Sequence, residues 1–269
     1  MRTPALLLLA CAAVPCWLAA SSAQADAPPH PFSVHDMLAM DRISDPQVSP
    51  DGRWVAFTVR VTDLEANKGR TDIWLARTDG SRTQRLTTDP ANDSNARWAP
   101  DGWIYFLSTR SGTSQVWKID PQGGEACQVT DLPLEVANLE IAPQIESLVF
   151  SLDVYPGTTI ARTAQMDEEK AATPASGKIY DELLFRHWDT WEDGKRSHVF
   201  VRKLSSGDDT VRDLMPDLDA DTPTHPFGGS EDFDVSPDGS TLVFAAKVLP
   251  GSEAAWSTDD DIWAVPAGR

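Results

Sequence analysis

A phrase built on Pro-Asp-Gly returns along this chain and constrains its fold more than any other feature. It reads VSPDGRWVAFTVR from 48, WAPDGWIYFLSTR from 98, IAPQIESLVFSLD from 141 and VSPDGSTLVFAAK from 235, with a looser copy, WEDGKRSHVFVRK, from 191. The turn aspartates, with Gln144 in the third copy, fall at 51, 101, 144, 193 and 238, in steps of 50, 43, 49 and 45 residues. Proline presets φ, aspartate bonds the nearby backbone, and glycine accepts a positive φ at little cost. The β-branched and aromatic run after each turn reads as a buried strand.

Two further phrases keep step with the first. TDIWLAR from 71, SQVWKID from 114 and DDIWAVP from 260 supply another strand, and QRLTTD from 84 and CQVTD from 127 close the first two units. No long amphipathic helical period follows the N-terminal segment. Units of 40 to 50 residues with about four strands are the mark of propeller blades. The expected fold is therefore all-β, a β-propeller with about five blades visible, at 43–90, 92–133, 137–170, 178–218 and 231–269. The last is expected to be incomplete, because the closing Leu-Thr or Val-Thr phrase is missing. A ring whose last blade does not meet its first keeps open edges, so the expectation is the N-terminal part of a longer protein.

The N-terminus carries Arg2, an apolar run from Ala5 to about Ala20, and Ala23-Gln24-Ala25, a small-x-small cleavage pattern. Pro15 interrupts the run, which is short of the roughly 20 apolar residues that a membrane helix needs. Residues 1–25 are read as a signal peptide, 26–42 as a lead-in and 43–269 as a partial propeller. A lipoprotein signal at Cys11 would leave too few apolar residues before the cleavage point. Removal of Cys11 and Cys16 leaves Cys127 alone, so no internal disulfide is expected. Cys127 itself reads as a small packed residue on an edge strand.

A formal charge of −18 repels phosphate backbones, which argues against nucleic acid as a partner. No second apolar segment is long enough to span a membrane. The expected location is the periplasm or the exterior, with no cofactor. Asp217-x-Asp219-x-Asp221 has the opening spacing of a calcium loop, but Thr222 replaces its glycine and Gly228 its bidentate glutamate, so no metal is expected.

The stretch KIYDELLFRHWDTWEDGKRSHVF, 178–200, stands apart from the repeat. One reading packs Trp188 and Trp191 into the core or between blades, with Asp189 bonded to His187 or to backbone. The other turns Asp181, Glu182, Arg186 and His187 toward a cavity. DEEKAATPASG at 167–177 reads as a flexible or variable insertion. The run TPTHPFGGS reads as an inter-blade loop, and STDDD at 257–261 as a charged turn.

The Ser-Pro-Asp-Gly phrases resemble the periplasmic TolB-type propeller repeat. YDELLFRHWDTWEDGKRSHVFV, with MLAMDRISDPQVSPDGRWVAFTV upstream, resembles the propeller of bacterial prolyl oligopeptidase-family enzymes. Within that family it is most similar to the exported dipeptidyl-peptidase V-like and acylaminoacyl-peptidase branch, from about Phe32 to the end. The resemblance implies a propeller that covers a C-terminal α/β-hydrolase domain with a Ser-Asp-His triad on a Gly-x-Ser-x-Gly elbow. That motif is absent here: Ser81, Ser111, Ser230 and Ser252 stand beside glycine but lack the second one. No catalytic residue is therefore assigned, and the chain is expected to gate and position a peptide substrate without hydrolysing it.

The resemblance also implies a carboxylate for the free α-ammonium of a dipeptidyl-peptidase substrate. In the dipeptidyl-peptidase IV branch a Glu-Glu pair does this, and Tyr180-Asp181-Glu182 is loosely similar to it. Asp181 and Glu182 are thus candidates, and Arg186 is a candidate for a substrate carbonyl or carboxylate. The rival class is a non-enzymatic, TolB-like periplasmic propeller that binds protein partners.

Overall fold

The computed structural model describes residues 30–181, 186–188, 190–204 and 210–267. They divide into one unit ending at Met37 and a second from Leu38 onward. The boundary falls within the short helix α1 (Val34–Ala39), and the second unit carries all the sheets.

The turn chemistry works as the sequence suggests. Ser49 Oγ donates to Asp51 Oδ1 at 2.6 Å and accepts from Trp54 N at 2.9 Å, while Gly52 takes φ 70°. The turn at 236 repeats this bond for bond: Ser236 Oγ donates to Asp238 Oδ1 at 2.6 Å and accepts from Thr241 N at 3.0 Å. In the second copy Ala99 has no hydroxyl, and the Tyr105 hydroxyl donates instead to Asp101 at 2.9 Å.

Each turn joins the first two strands of an antiparallel sheet. The first sheet is β1 (Arg42–Val48), β2 (Trp54–Asp63), β3 (Lys68–Arg77) and β4 (Thr83–Arg85), in that order. The second is β5 (Asp93–Trp98), β6 (Ile104–Ser108), β7 (Gln115–Ile119) and β8 (Cys127–Gln128). The third orders β9 (Ala137–Ala142), β10 (Ser147–Val154), β13 (Arg196–Lys203) and β14 (Val211–Asp213). Between β10 and β13 lie α2 (Ile160–Ala171) and a two-stranded hairpin, β11 (Arg186–His187) with β12 (Thr190–Trp191). The fourth sheet is β15 (Phe233–Val235), β16 (Thr241–Ala246) and β17 (Asp261–Pro266), with α3 (Gly251–Ala254) in the β16–β17 connection.

The propeller-blade architecture is as expected, but its division differs. Segments 137–170 and 178–218 are not two blades; they are the halves of one. β10 and β13 pair without a break from Ser147↔Lys203 to Val154↔Arg196. The Asp-Gly at 193–194 leads from an insertion into the third strand of that blade and does not join its first two. The insertion is nearly as long as a blade, so it imitated one more period. Five phrases therefore map onto four sheets among the described residues.

Neighbouring blades meet through apolar faces, and strand alternation decides which side chain goes where. Ala56, Ile73 and Leu75 of the first blade pack with Ala96, Ile104 and Phe106 of the second. On β10, Leu148, Phe150, Leu152 and Val154 face the second blade, whereas Val149 joins Val199, Leu242 and Phe244 between the third and fourth.

Two local expectations fail. Part of the 167–177 segment is helical: Thr159 caps α2 by accepting from Arg162 N, and Thr163 buries its inner face. The segment carries few apolar residues because only one side of the helix meets the sheet. Cys127 is exposed, on the two-residue β8 at the outer edge of its sheet.

Candidate functional site

Three long connections converge at one end of the third and fourth blades: 155–195 between β10 and β13, 214–232 between β14 and β15, and 247–260 between β16 and β17. Polar bonds from the start of β13 fasten them. Arg196 reaches Asp219 at 2.9 Å and Glu192 at 3.0 Å. Ser197 N donates to Asp221 Oδ1 at 2.9 Å, and Thr222 N donates to Ser197 O at 2.7 Å. Thr222 Oγ1 donates to Ala245 O at 2.8 Å, which ties the loop to the fourth blade. His198, fully buried, has one ring nitrogen 2.9 Å from Asp213 and the other 2.9 Å from the Leu218 carbonyl.

Cavities open among these connections, and two are the larger. One, of about 350 Å³, lies among Asp153, Trp188, Trp191, Asp193, Lys195 and His225. The other, of about 730 Å³, is bounded by Lys170, Ile179, Tyr180, Asp181, Glu192 and Arg196. Carboxylates outnumber cations in both, and Lys170, Lys195 and Arg196 are each bonded to a neighbour. Burial works against the charge on Lys195, but Asp193 and Asp167 outweigh it and raise its pKa. Burial likewise opposes the charge on Arg196, and Asp221, Asp219 and Glu192 raise its pKa. Asp153 behaves differently: desolvation in the cleft raises its pKa, against smaller opposing pulls from His225 and Lys195. Its carboxyl still keeps open surface, which limits that desolvation.

The residues singled out from the sequence are placed as follows. Asp181 is exposed on the rim of the larger cavity. The Arg186 guanidinium lies 5.4 Å over the Trp191 ring. His187 pairs through its backbone with Thr190, while its side chain lies outside the described residues, as do Glu182 and Asp189. Trp188 and Trp191 are not core: they are 71% and 46% exposed. At the cleft Trp188 stands edge-on to Phe227 at 5.2 Å and Trp191 stacks on Tyr180 at 5.7 Å. Asp219 and Asp221 are spent on Arg196 and Ser197, and no cluster suited to a metal ion occurs among the described residues.

Sequence reading missed Asp153, although one signal was available. In SLVFSLDV it is the sole charged residue of a strand whose other seven are buried. It missed Arg97 too, and there a lone arginine in a strand carries no signal. Arg97 donates to Glu140 through Nε and Nη2, each at 2.8 Å, and to both oxygens of Asp45 through Nη1, at 2.8 and 2.9 Å. Nη2 also lies 3.4 Å from Ser230 Oγ. The first strands of three blades, and the connection just before the first strand of the fourth, thus meet at one guanidinium.

Residues 39–178 match the family described as TolB beta propeller domain. Dipeptidyl-peptidase 5 of Porphyromonas endodontalis is 28% identical over 230 residues, covering 84% of this chain and 32% of that protein. Dipeptidyl-peptidase 5 of Arthroderma otae is 30% identical over 249 residues, covering 87% and 34%. Among solved structures, an acylaminoacyl peptidase in complex with Z-Gly-Gly-Phe-chloromethyl ketone superposes with a TM-score of 0.58 at 15% identity, over 87% of this chain and 32% of that one. Pyrococcus horikoshii acylaminoacyl peptidase gives 0.57 at 17% identity, over 87% and 32%. At such identities the structural likeness concerns the fold alone. The chain spans about a third of the length of the curated relatives it matches.

Proposed function

The chain belongs to the TolB β-propeller family, and from that premise we propose that it is the substrate-gating propeller of an exported serine exopeptidase. Its sequence is homologous to the propeller portion of dipeptidyl-peptidase 5. The parent enzyme would release dipeptides or acylated residues from peptide N-termini, with a nucleophile supplied outside this chain. Export is proposed from the 1–25 signal pattern, and among the described residues no helix is long and apolar enough to cross a membrane.

One observation carries the reading: the connections of two adjacent blades are enlarged at the same end and enclose acidic, aromatic-lined space. A propeller that served only as a rigid scaffold would not need those insertions. Loops on a rigid frame are where binding groups collect. On this reading Asp181, Glu182, Arg186 and His187, all on the largest insertion, face the substrate. The protein carrying this propeller is expected to release dipeptides from chromogenic dipeptidyl substrates or acylated residues from acyl-aminoacyl ones. Absence of both activities would leave the protein-binding propeller as the better account.

A further inference from the structure

We propose that Arg42 and Arg60, at the hairpin end of the first blade, form a binding site for a carboxylate side chain on an acidic peptide segment. The site stands apart from the cavities of the third and fourth blades, and it goes beyond the exopeptidase reading without resting on it.

A pairing that sheets ordinarily avoid is the first observation. Arg42 of β1 stands directly opposite Arg60 of β2, so both side chains rise from one face with Cβ atoms about 5 Å apart. Like charges so placed repel and destabilise the pair. The chain has 41 acidic residues against 23 lysines and arginines. Yet among the described residues neither guanidinium has a hydrogen bond or ion pair. Two acids close to them in sequence are spent elsewhere, Asp45 on Arg97 at 2.8 Å and Asp63 on Arg70 at 3.5 Å. A local conflict with no compensating contact is the mark of a functional position.

The second is the room made for Arg60. Its guanidinium lies against Gly69 of β3, where any Cβ would collide with Nε, Cζ and Nη2. Gly69 pairs with Thr62 inside the β2–β3 ladder and is not among the glycines of positive φ. Its backbone therefore does not require glycine, and a glycine inside a strand weakens it. The missing side chain leaves space that holds the guanidinium against the sheet.

The neighbours are the third. Thr71 stands opposite Arg60, so the row Arg42–Arg60–Thr71 crosses three strands with donors and no carboxylate. Further in on the same face, the Thr58 hydroxyl is buried without a partner. Arginine forks match the two oxygens of a carboxylate. The net charge of −18 disfavours a phosphate dianion more than a single carboxylate.

The test is titration of the 269-residue protein with acetyl-Gly-Glu-Gly amide, whose sole charge is its side-chain carboxylate, followed by NMR of the arginine Nε–H groups. Saturable shifts of the Arg42 and Arg60 resonances are expected. Arg42→Gln and Arg60→Gln should each lower the affinity about fivefold, which corresponds to about 1 kcal/mol. Neither threatens folding, because each removes a repulsion. Gly69→Ala keeps both charges but displaces the Arg60 guanidinium, and it should lower the affinity as well. Arg53→Gln, at the opposite end of the same blade, should leave it unchanged. No saturable shift, equal binding of the glutamine analogue, or wild-type affinity in both arginine variants would overturn the site. Inorganic phosphate binding as tightly as the peptide would overturn the choice of a carboxylate.

Discussion

At the scale of single residues, the same serine–aspartate pair organises two turns far apart in the chain. Asp238 accepts from Ser236 Oγ and from both the amide and hydroxyl of Ser240. The Ser236 bond comes first among the causes that pull its pKa down to about 2, and Asp51 is lowered by the equivalent bond from Ser49. Hydrogen bonds to the ionised form favour it over the neutral acid. A carboxylate with a depressed folded pKa contributes stability above its unfolded value of 3.8, and that contribution is lost as pH falls through about 2. Ser236→Ala should raise the Asp238 value toward the ordinary range, read by carboxyl-carbon NMR titration. A titration unchanged by the substitution would show that the Ser240 bonds suffice.

Elements were legible in proportion to how local their pairing is. β2 follows β1, and β3 follows β2, through turns that the residues name, so the first two blades were drawn nearly as they stand. β13 finds β10 across more than forty intervening residues, and no residue within SHVFVRK says which strand it will join. Alternating apolar residues suit any partner whose opposite face is buried. The nearly blade-long insertion then disguised the error as one more repeat. A prediction belongs here. Residues 172–179 are exposed and lie outside any helix or strand, so brief trypsin treatment should cut first after Lys178. The two fragments should stay together through the β10–β13 ladder on size-exclusion chromatography. Separation into free fragments would mean that the ladder does not hold the third blade.

For the whole molecule, the Arg97 junction binds the blades at their first strands. Asp45, Asn95 and Asn138 each take a positive φ, and all three occupy the same place, six residues before the turn Asp or Gln of their blade. Each sits where the first strand slips register against the second. Asn and Asp tolerate this conformation, and the bulge re-aims the neighbouring side chains. Asn95 uses the turn to grip the next blade, exchanging two bonds with Leu139 N and O at 2.8 and 3.0 Å. Arg97, with its side chain only 8% exposed, neutralises two carboxylates that are 28% and 32% exposed. Burial opposes its charge, and Glu140 and Asp45 outweigh that and raise its pKa. Arg97→Met should cost about 3 kcal/mol in urea unfolding, because two carboxylates lose their partner. Adding Asp45→Asn and Glu140→Gln should recover much of it. A single variant as stable as wild type would show that the blades are held by their apolar faces alone.

What the chain determines by itself is what depends on near neighbours: Pro-Asp-Gly turns, the strands they launch, the blade period and the acidic surface. Those follow from φ preferences, hydroxyl–carboxylate bonds a few residues apart and alternating apolar side chains. Tertiary structure alone decided that Asp153 would share a cavity with Trp188 and His225, and that Arg97 would meet Asp45, Glu140 and Ser230. These groups lie tens of residues apart, and their meeting depends on how far each blade is rotated from the last and where its insertion folds back. No spacing in the sequence encodes that rotation. It is set by the packing of Leu148, Phe150 and Leu152 against one neighbour and Val149 against the other.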